Sequence, residues 1–274
     1  MTEPPEHGNR EREQLDRVRE RFTRTADAFS GFSRTVRFAE AERLAVLAAA
    51  DGAELALDLA CGPGTFTFAL ASRVRRIIGL DLTPALLDKA RGTAKEKGLA
   101  NLFLVCGNSC SLPFTAGVFD IASCGYALHH LSDPSTTLRE LARVLRPGGR
   151  VALLDLVAPE ESPRAEMNNR IERARDVSHV RTLAATEFES LAGAAGFRIL
   201  RREVAERPRS FDDWMRVGGR QPADASYEEA RQLMEASIDA DSAGFHPRRS
   251  ASAAGARPDL EFVQTSLFLI AEKK

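Results

Sequence analysis

The chain has 274 residues, 43% of them hydrophobic, with 38 lysines and arginines against 39 aspartates and glutamates. That length fits one large domain or two small ones, and the apolar share is enough for a sizeable core. A net charge of −1 argues against a nucleic-acid clamp, which needs a basic face to neutralise phosphates.

In chain order, the first fourteen residues are polar and mixed in charge, with no apolar core of a signal peptide. No stretch approaches the roughly 20 apolar residues of a membrane span, so a cytoplasmic chain is expected. Residues 10–50 predict two amphipathic helices, and the aromatic stripe Phe22, Phe29, Phe32 and Phe38 is read as core. Apolar runs at 55–59, 76–80, 102–106, 119–123 and 151–157 predict strands covered on both faces, as in a parallel sheet. Helices fall between them. Thr83 offers a cap hydroxyl before Pro84, and Gly98 closes that helix after Lys97. A second helix runs over 134–145 and stops at the Arg146-Pro147-Gly148-Gly149 turn. The charged segment 160–182 is read as a helix over the strand ends, 186–195 as a helix and 197–204 as a strand. Residues 210–258 read as irregular and helical, with a mobile low-complexity stretch at 250–255, and the arginine-rich stretch 198–220 as solvated surface. A strong strand over 262–271 ends the chain. Strand–helix alternation predicts a doubly wound α/β sheet, and the short final connection makes one of the last two strands antiparallel.

Four cysteines stand at 61, 106, 110 and 124 without histidines or a second pair at zinc spacing. They are read as reduced and mostly buried, with no metal site. The chemical signal is the turn Asp58-Leu59-Ala60-Cys61-Gly62-Pro63-Gly64 between a strand and a helix, where glycines let backbone approach a ligand. Thr67 stands where a dinucleotide fingerprint has its third glycine, so that fingerprint is incomplete. Asp81 ends the next strand, seventeen residues after Gly64. A carboxylate there can accept hydrogen bonds from both hydroxyls of a ribose.

These segments together resemble the class I methyltransferases, and within them the group of menaquinone and ubiquinone C-methyltransferases. LDLACGPG (57–64), GLDLTPALLDKAR (79–91), GNSCSLPFTAGVFDIASCGYALHHLSDP (107–134) and RVLRPGGR (143–150) with LLDLV (153–157) are similar to that class's motifs, in its order. The likeness continues through 176–197 and 210–224, as in a bacterial subgroup of this class. The resemblance implies a Rossmann-like seven-stranded, mostly parallel sheet with the last strand antiparallel. It implies S-adenosyl-L-methionine as cofactor and S-adenosyl-L-homocysteine as product. Ala60, Cys61, Gly62 and Gly64 would then line the methionine moiety, with Asp58 orienting the loop or holding the amino group through water. Asp81 would bind the ribose, with Leu82 packing on the adenine. Asn108 and Ser109 would bracket the adenine, Asn108 in place of the aspartate of many relatives. Cys124, Gly125 and Tyr126 would lie beside the transferring methyl.

His129 and His130 follow the fourth strand at the end where ligands of such sheets bind, and are the candidate bases. His179, Tyr126 and Trp214 are candidates for shaping the acceptor pocket. The expected organisation is a helical lid (1–48), the cofactor-binding core (49–158), a cap (159–185) and the rest of the sheet with a helical insertion (186–274). The expected reaction moves a methyl group to carbon or oxygen of a small, aromatic or polyketide-like acceptor, by a monomer or homodimer without nucleic acid or membrane span. Two alternatives stand beside it: a catalytically silent cofactor-binding partner protein, and a nicotinamide-dependent oxidoreductase.

Overall fold

A nearly continuous apolar run such as 55–59, interrupted only by Asp58, is buried on both sides only in the middle of a sheet, and the computed structural model places it there. The structure describes residues 6–48, 52, 54–250 and 259–274. β1 (Leu55–Leu59) pairs in parallel with β2 (Arg76–Asp81) on one side and β4 (Phe119–Gly125) on the other. β3 (Leu102–Cys106) lies outside β2 and β5 (Leu145–Leu156) outside β4, both parallel. Beyond β5 the direction reverses. β8 (Leu260–Lys273) runs antiparallel to β5 and to β6 (Phe197–Ser210), giving the order β3-β2-β1-β4-β5-β8-β6. The fold is the expected Rossmann-like sheet, with one addition: a two-residue strand, β7 (Arg248–Arg249), pairs with β8.

The two faces of β1 bury into different cores. Leu57 and Leu59 join Leu138 and Leu141 of α6 (Pro134–Val144) and Phe188 of α8 (Ala185–Ala194). Ala56 joins Leu44 of α3 (Phe38–Leu47), Phe66 and Leu70 of α4 (Thr65–Ala71), and Phe268. α5 (Pro84–Glu96) contacts β2 and β3. Full burial stabilises each such leucine or phenylalanine by about 1.5–3 kcal/mol. A third core, around Trp214 of α9 (Phe211–Val217), holds Ile171 of α7 (Ser162–Arg175), Met234 of α10 (Ala225–Ala236) and Phe262.

Several local expectations are corrected. The N-terminal region makes three helices: α1 (Glu6–Arg24), α2 (Ala26–Val36) and α3. Phe38 is 55% exposed, while Phe22 and Phe29 line a cavity, so the aromatic stripe is not simply core. Thr83 makes no side-chain cap, whereas Asp133 caps α6 by accepting from the Ser135 and Thr136 N–H groups (3.0 and 3.3 Å). The Arg146–Gly149 turn is a bulge inside β5, because Phe119 pairs with Leu145 and Ile121 with Arg150. β6 and β8 each run to fourteen residues, since they pair with each other past the body of the sheet. Arg207 and Arg209 are not solvated surface. Arg207 bonds Glu40 (2.7 Å) and the Val36 carbonyl (2.9 Å), and Arg209 stacks on Phe32. Residues 251–255 of the low-complexity stretch lie outside the described residues. No helix of the described residues is long and apolar enough to cross a membrane.

Candidate active site

The turn after β1 is built on left-handed backbone. Ala60, Gly62 and Gly64 have φ of 52°, 53° and 90°. The Cys61 N–H donates to the Leu80 carbonyl (3.0 Å) and the Gly64 N–H to the Cys61 carbonyl (2.9 Å), tying the turn to β2 and to itself. Gly64 is required twice over, since its φ is positive and an added Cβ would fall 2.5 Å from the Phe68 ring. Gly64→Ala is therefore expected to lower unfolding free energy by about 1–3 kcal/mol, read as a reduced denaturation midpoint. Asp58 braces the turn from below. It accepts from the Thr67 and Ser123 hydroxyls (2.5 and 2.6 Å), and burial raises its carboxyl to about 6 against those bonds.

Asp81 is the hinge of the site. Its Oδ2 accepts from the Gly62 N–H and its Oδ1 from the Thr83 N–H, both at 2.8 Å. A carboxylate has about four lone-pair sites, so acceptor capacity is left for a ligand. Burial raises this carboxyl, against the donors of Thr83 and Gly62. Asp81 faces a cavity of about 950 Å³, mouth included, at the carboxyl ends of β1, β2 and β4. The predicted residues that line it are Ala60, Cys61, Gly62, Asp81, Leu82, Asn108, Ser109, Gly125, Tyr126 and His130. The Asn108 side-chain Oδ1 accepts from the Cys110 N–H (3.0 Å), which fixes that loop.

α1 and α2 roof the cavity with Phe22, Phe29 and Gln14, and Arg37 joins them from the α2–α3 joint, residues that amphipathic periodicity could mark only as an inward face. Strain gathers at its floor. Tyr126, like Ala60, is a non-glycine residue with positive φ (57°), held by its N–H to the Leu154 carbonyl (2.7 Å). Its hydroxyl lies 3.2 Å from Ser266 Oγ, and burial, then Glu40, pushes its pKa well up.

The remaining predicted residues lie off the cavity wall. Gly64 and Asp58 shape the turn from behind. Cys124 is buried in β4 beside it, and burial pushes the thiols of Cys61 and Cys124 far up, keeping them neutral. His129, a candidate base, is buried off the cavity wall. Its Nδ1 is 2.5 Å from Asp155 Oδ1, and its carbonyl accepts from the Val180 and Arg181 N–H groups. Burial works against the Asp155 charge, and His129 outweighs it, holding that carboxyl below its usual range. His179 turns away to Asn169 Oδ1 (2.8 Å), and Trp214 is sealed in the third core. His130 does reach the cavity. Its Nδ1 is 3.1 Å from both the carbonyl and the Oγ of Ser178, and burial, then His129, lowers its pKa to about 3. The imidazole is thus neutral at neutral pH.

A family profile described as a methyltransferase domain matches residues 57–153. Over 206 residues the chain is 35% identical to methyltransferase YcgJ of Bacillus subtilis (strain 168), covering 74% of this chain and 81% of YcgJ. The chain belongs to the methyltransferase family. The crystal structure of YcgJ matches this methyltransferase with a TM-score of 0.79 at 30% identity, over 86% of this chain and 99% of that one. The methyltransferase core is also 41% identical to the demethylmenaquinone methyltransferase of Lactococcus lactis subsp. lactis (strain IL1403) over 106 residues, 38% of this chain and 42% of that enzyme. Geranyl diphosphate C-methyltransferase from Streptomyces coelicolor A3(2) shares the fold, with a TM-score of 0.61 at 16% identity over 86% of this chain and 78% of that one.

The class I family implies an adenosyl sulfonium cofactor, and the residues present fit one. Asp81 offers a carboxylate with free acceptor sites, Asn108 an amide, and Leu82 and Leu86 an apolar wall. A Cβ at Gly62 would point toward Phe29 (3.6 Å) and Leu86 (3.9 Å), both on the cavity wall, so the missing side chain leaves room at the turn.

Proposed function

We propose that this methyltransferase moves a methyl group from S-adenosylmethionine to carbon or oxygen of a small acceptor, an aromatic or polyketide-like molecule being the favoured class. The observation that carries the reading is the Asp81 carboxylate, which locks the glycine turn and still faces the cavity. The demethylmenaquinone methyltransferase likeness supports an aromatic acceptor for the core. When bound, S-adenosylmethionine supplies a methyl carbon already activated by its sulfonium.

The chain's own residues then have three tasks. Asp81, Asn108 and the 60–62 backbone bind and orient. Residues 1–48 act as a lid: α1 and α2 cover the cavity and exclude water, so that proximity and orientation carry much of the rate. His130 fixes geometry rather than removing a proton. A conjugate acid near 3 lies far from an effective base at neutral pH. With Nδ1–H donated to the Ser178 carbonyl, its Nε2 is left as a hydrogen-bond acceptor.

Calorimetry with S-adenosylhomocysteine tests the cofactor, and mass spectrometry with isotopically labelled S-adenosylmethionine on a panel of hydroxylated aromatics tests transfer. A saturable heat and a labelled product are expected. Absence of heat ends the reading, whereas heat without product from any acceptor leaves the silent binding protein as the function.

A further inference from the structure

One charge on the cavity wall makes no hydrogen bond or ion-pair contact among the described residues. Arg37 stands at the joint between α2 and α3, and no described residue gives its guanidinium a hydrogen bond or ion pair. Aromatic rings surround it instead. Its Cζ is 3.8 Å from the centroid of Tyr126, 5.4 Å from Phe32 and 5.6 Å from Phe29. Stacking on rings attracts a cation but satisfies none of its five N–H donors. By contrast, Arg21 is answered by Asp176 at 2.9 Å and Arg207 by Glu40 at 2.7 Å.

Arg37 and Tyr126 belong to two cavity walls, since both also line a second, much smaller cavity. Its wall holds three guanidinium groups, Arg37, Arg207 and Arg209, against the single carboxylate of Glu40, which is already bonded to Arg207. Tyr126 cannot supply the missing charge, because burial keeps its phenol protonated. The Tyr126 end of the cavity therefore carries an excess of positive charge that Glu40 offsets only in part, while Asp81 stands among the cavity residues of the β2 end.

We propose that Arg37 is an anion-binding residue of the acceptor subsite, and that the acceptor is a planar molecule carrying an oxyanion, a carboxylate or an ionised enol or phenol, that docks on its guanidinium beside the Tyr126 ring. A guanidinium matches a planar oxyanion bidentately and stacks on aromatic faces at once. The proposal rests on the methyltransferase reading of the cavity, and it narrows the acceptor to anions.

The test is titration of the full chain, with and without S-adenosylhomocysteine, using benzoate, 4-nitrophenolate at pH 8 and neutral benzamide, followed by calorimetry and thermal shift. Saturable binding of at least one anion is expected, with benzamide at least tenfold weaker, and the two anions tell a carboxylate site from a phenolate site. Arg37→Gln is expected to weaken the anion at least tenfold while leaving S-adenosylhomocysteine affinity within about threefold, and Arg37→Lys to fall between. The proposal is overturned if neither anion binds, if benzamide binds equally, or if Arg37→Gln retains the anion. It is also overturned if Arg37→Gln loses S-adenosylhomocysteine to the same extent. Should the variant not fold, the comparison of benzoate with benzamide on the native chain still decides. Loss of S-adenosylhomocysteine binding in the native protein, with anion binding intact, would instead count against the cofactor reading.

Discussion

Replacing Asp81 by alanine is expected to weaken S-adenosylhomocysteine binding by tenfold or more, about 1.4 kcal/mol at the least. Two losses add. The ligand loses a charge-assisted acceptor, the stronger kind of hydrogen bond. The protein loses the acceptor of two N–H groups, Gly62 and Thr83, each held at 2.8 Å. A buried donor left without a partner costs about 1–3 kcal/mol, so the variant should also be less stable without ligand. Asp81→Asn separates the two effects. Its amide oxygen can still accept one N–H, but its NH₂ faces the other donor. Calorimetry should rank affinity as Asp, then Asn, then Ala. Equal affinity in all three would remove Asp81 from the binding site.

Cutting the Arg21–Asp176 pair is expected to produce the largest stability change. The atoms are 2.9 Å apart, and the side chains are only 3% and 4% exposed. Removing one partner of a buried pair leaves an uncompensated charge and costs about 3–5 kcal/mol. Arg21→Ala and Asp176→Ala should each lose that much in denaturant unfolding, and the double variant much less than the sum. The pair joins α1 to the segment after α7, and Gln14 adds a second tie by donating to the His130 and Ser178 carbonyls (2.9 and 2.7 Å). A loosened α1 should therefore speed release of S-adenosylhomocysteine as well.

The same pair sets a pH dependence. Burial opposes the Asp176 charge, but Arg21, then His130, outweigh it and hold the carboxyl far below its usual range. A carboxyl depressed in the folded state stabilises fully above its unfolded pKa of about 3.9 and loses that contribution as pH falls toward the folded value. Protection of α1 in hydrogen exchange should be level through neutral pH and decline only below about pH 4. Arg21, lowered by burial to about 10 against the pull of Asp176, stays charged throughout.

The proposed cofactor half of the site was legible because the residues assigned to it also build the backbone turn. Gly62 and Gly64 signal left-handed backbone by their identity, and Asp81 sits at a fixed interval behind them, so local spacing carries the information. The acceptor half was not. Arg37 looks like any helix-surface arginine until three rings from two separate parts of the chain close around it. Histidine identity likewise suggested a base at both 129 and 130. Only the contacts part them, since Asp155 claims His129 inside the fold and Ser178 turns His130 toward the cavity.

By itself, the sequence determined the sheet, because five apolar runs, most of them separated by helices, can bury both faces in few other ways. It also determined the family, through motifs whose order and spacing act within a few tens of residues. Tertiary structure alone decided where β6 and β8 keep pairing, which aromatics face a cavity, and which buried charges find partners. Those outcomes depend on groups such as Arg21 and Asp176, 155 positions apart by their numbers, meeting in a low-dielectric interior. There a partner present or missing is worth several kcal/mol, and no local pattern along the chain records it.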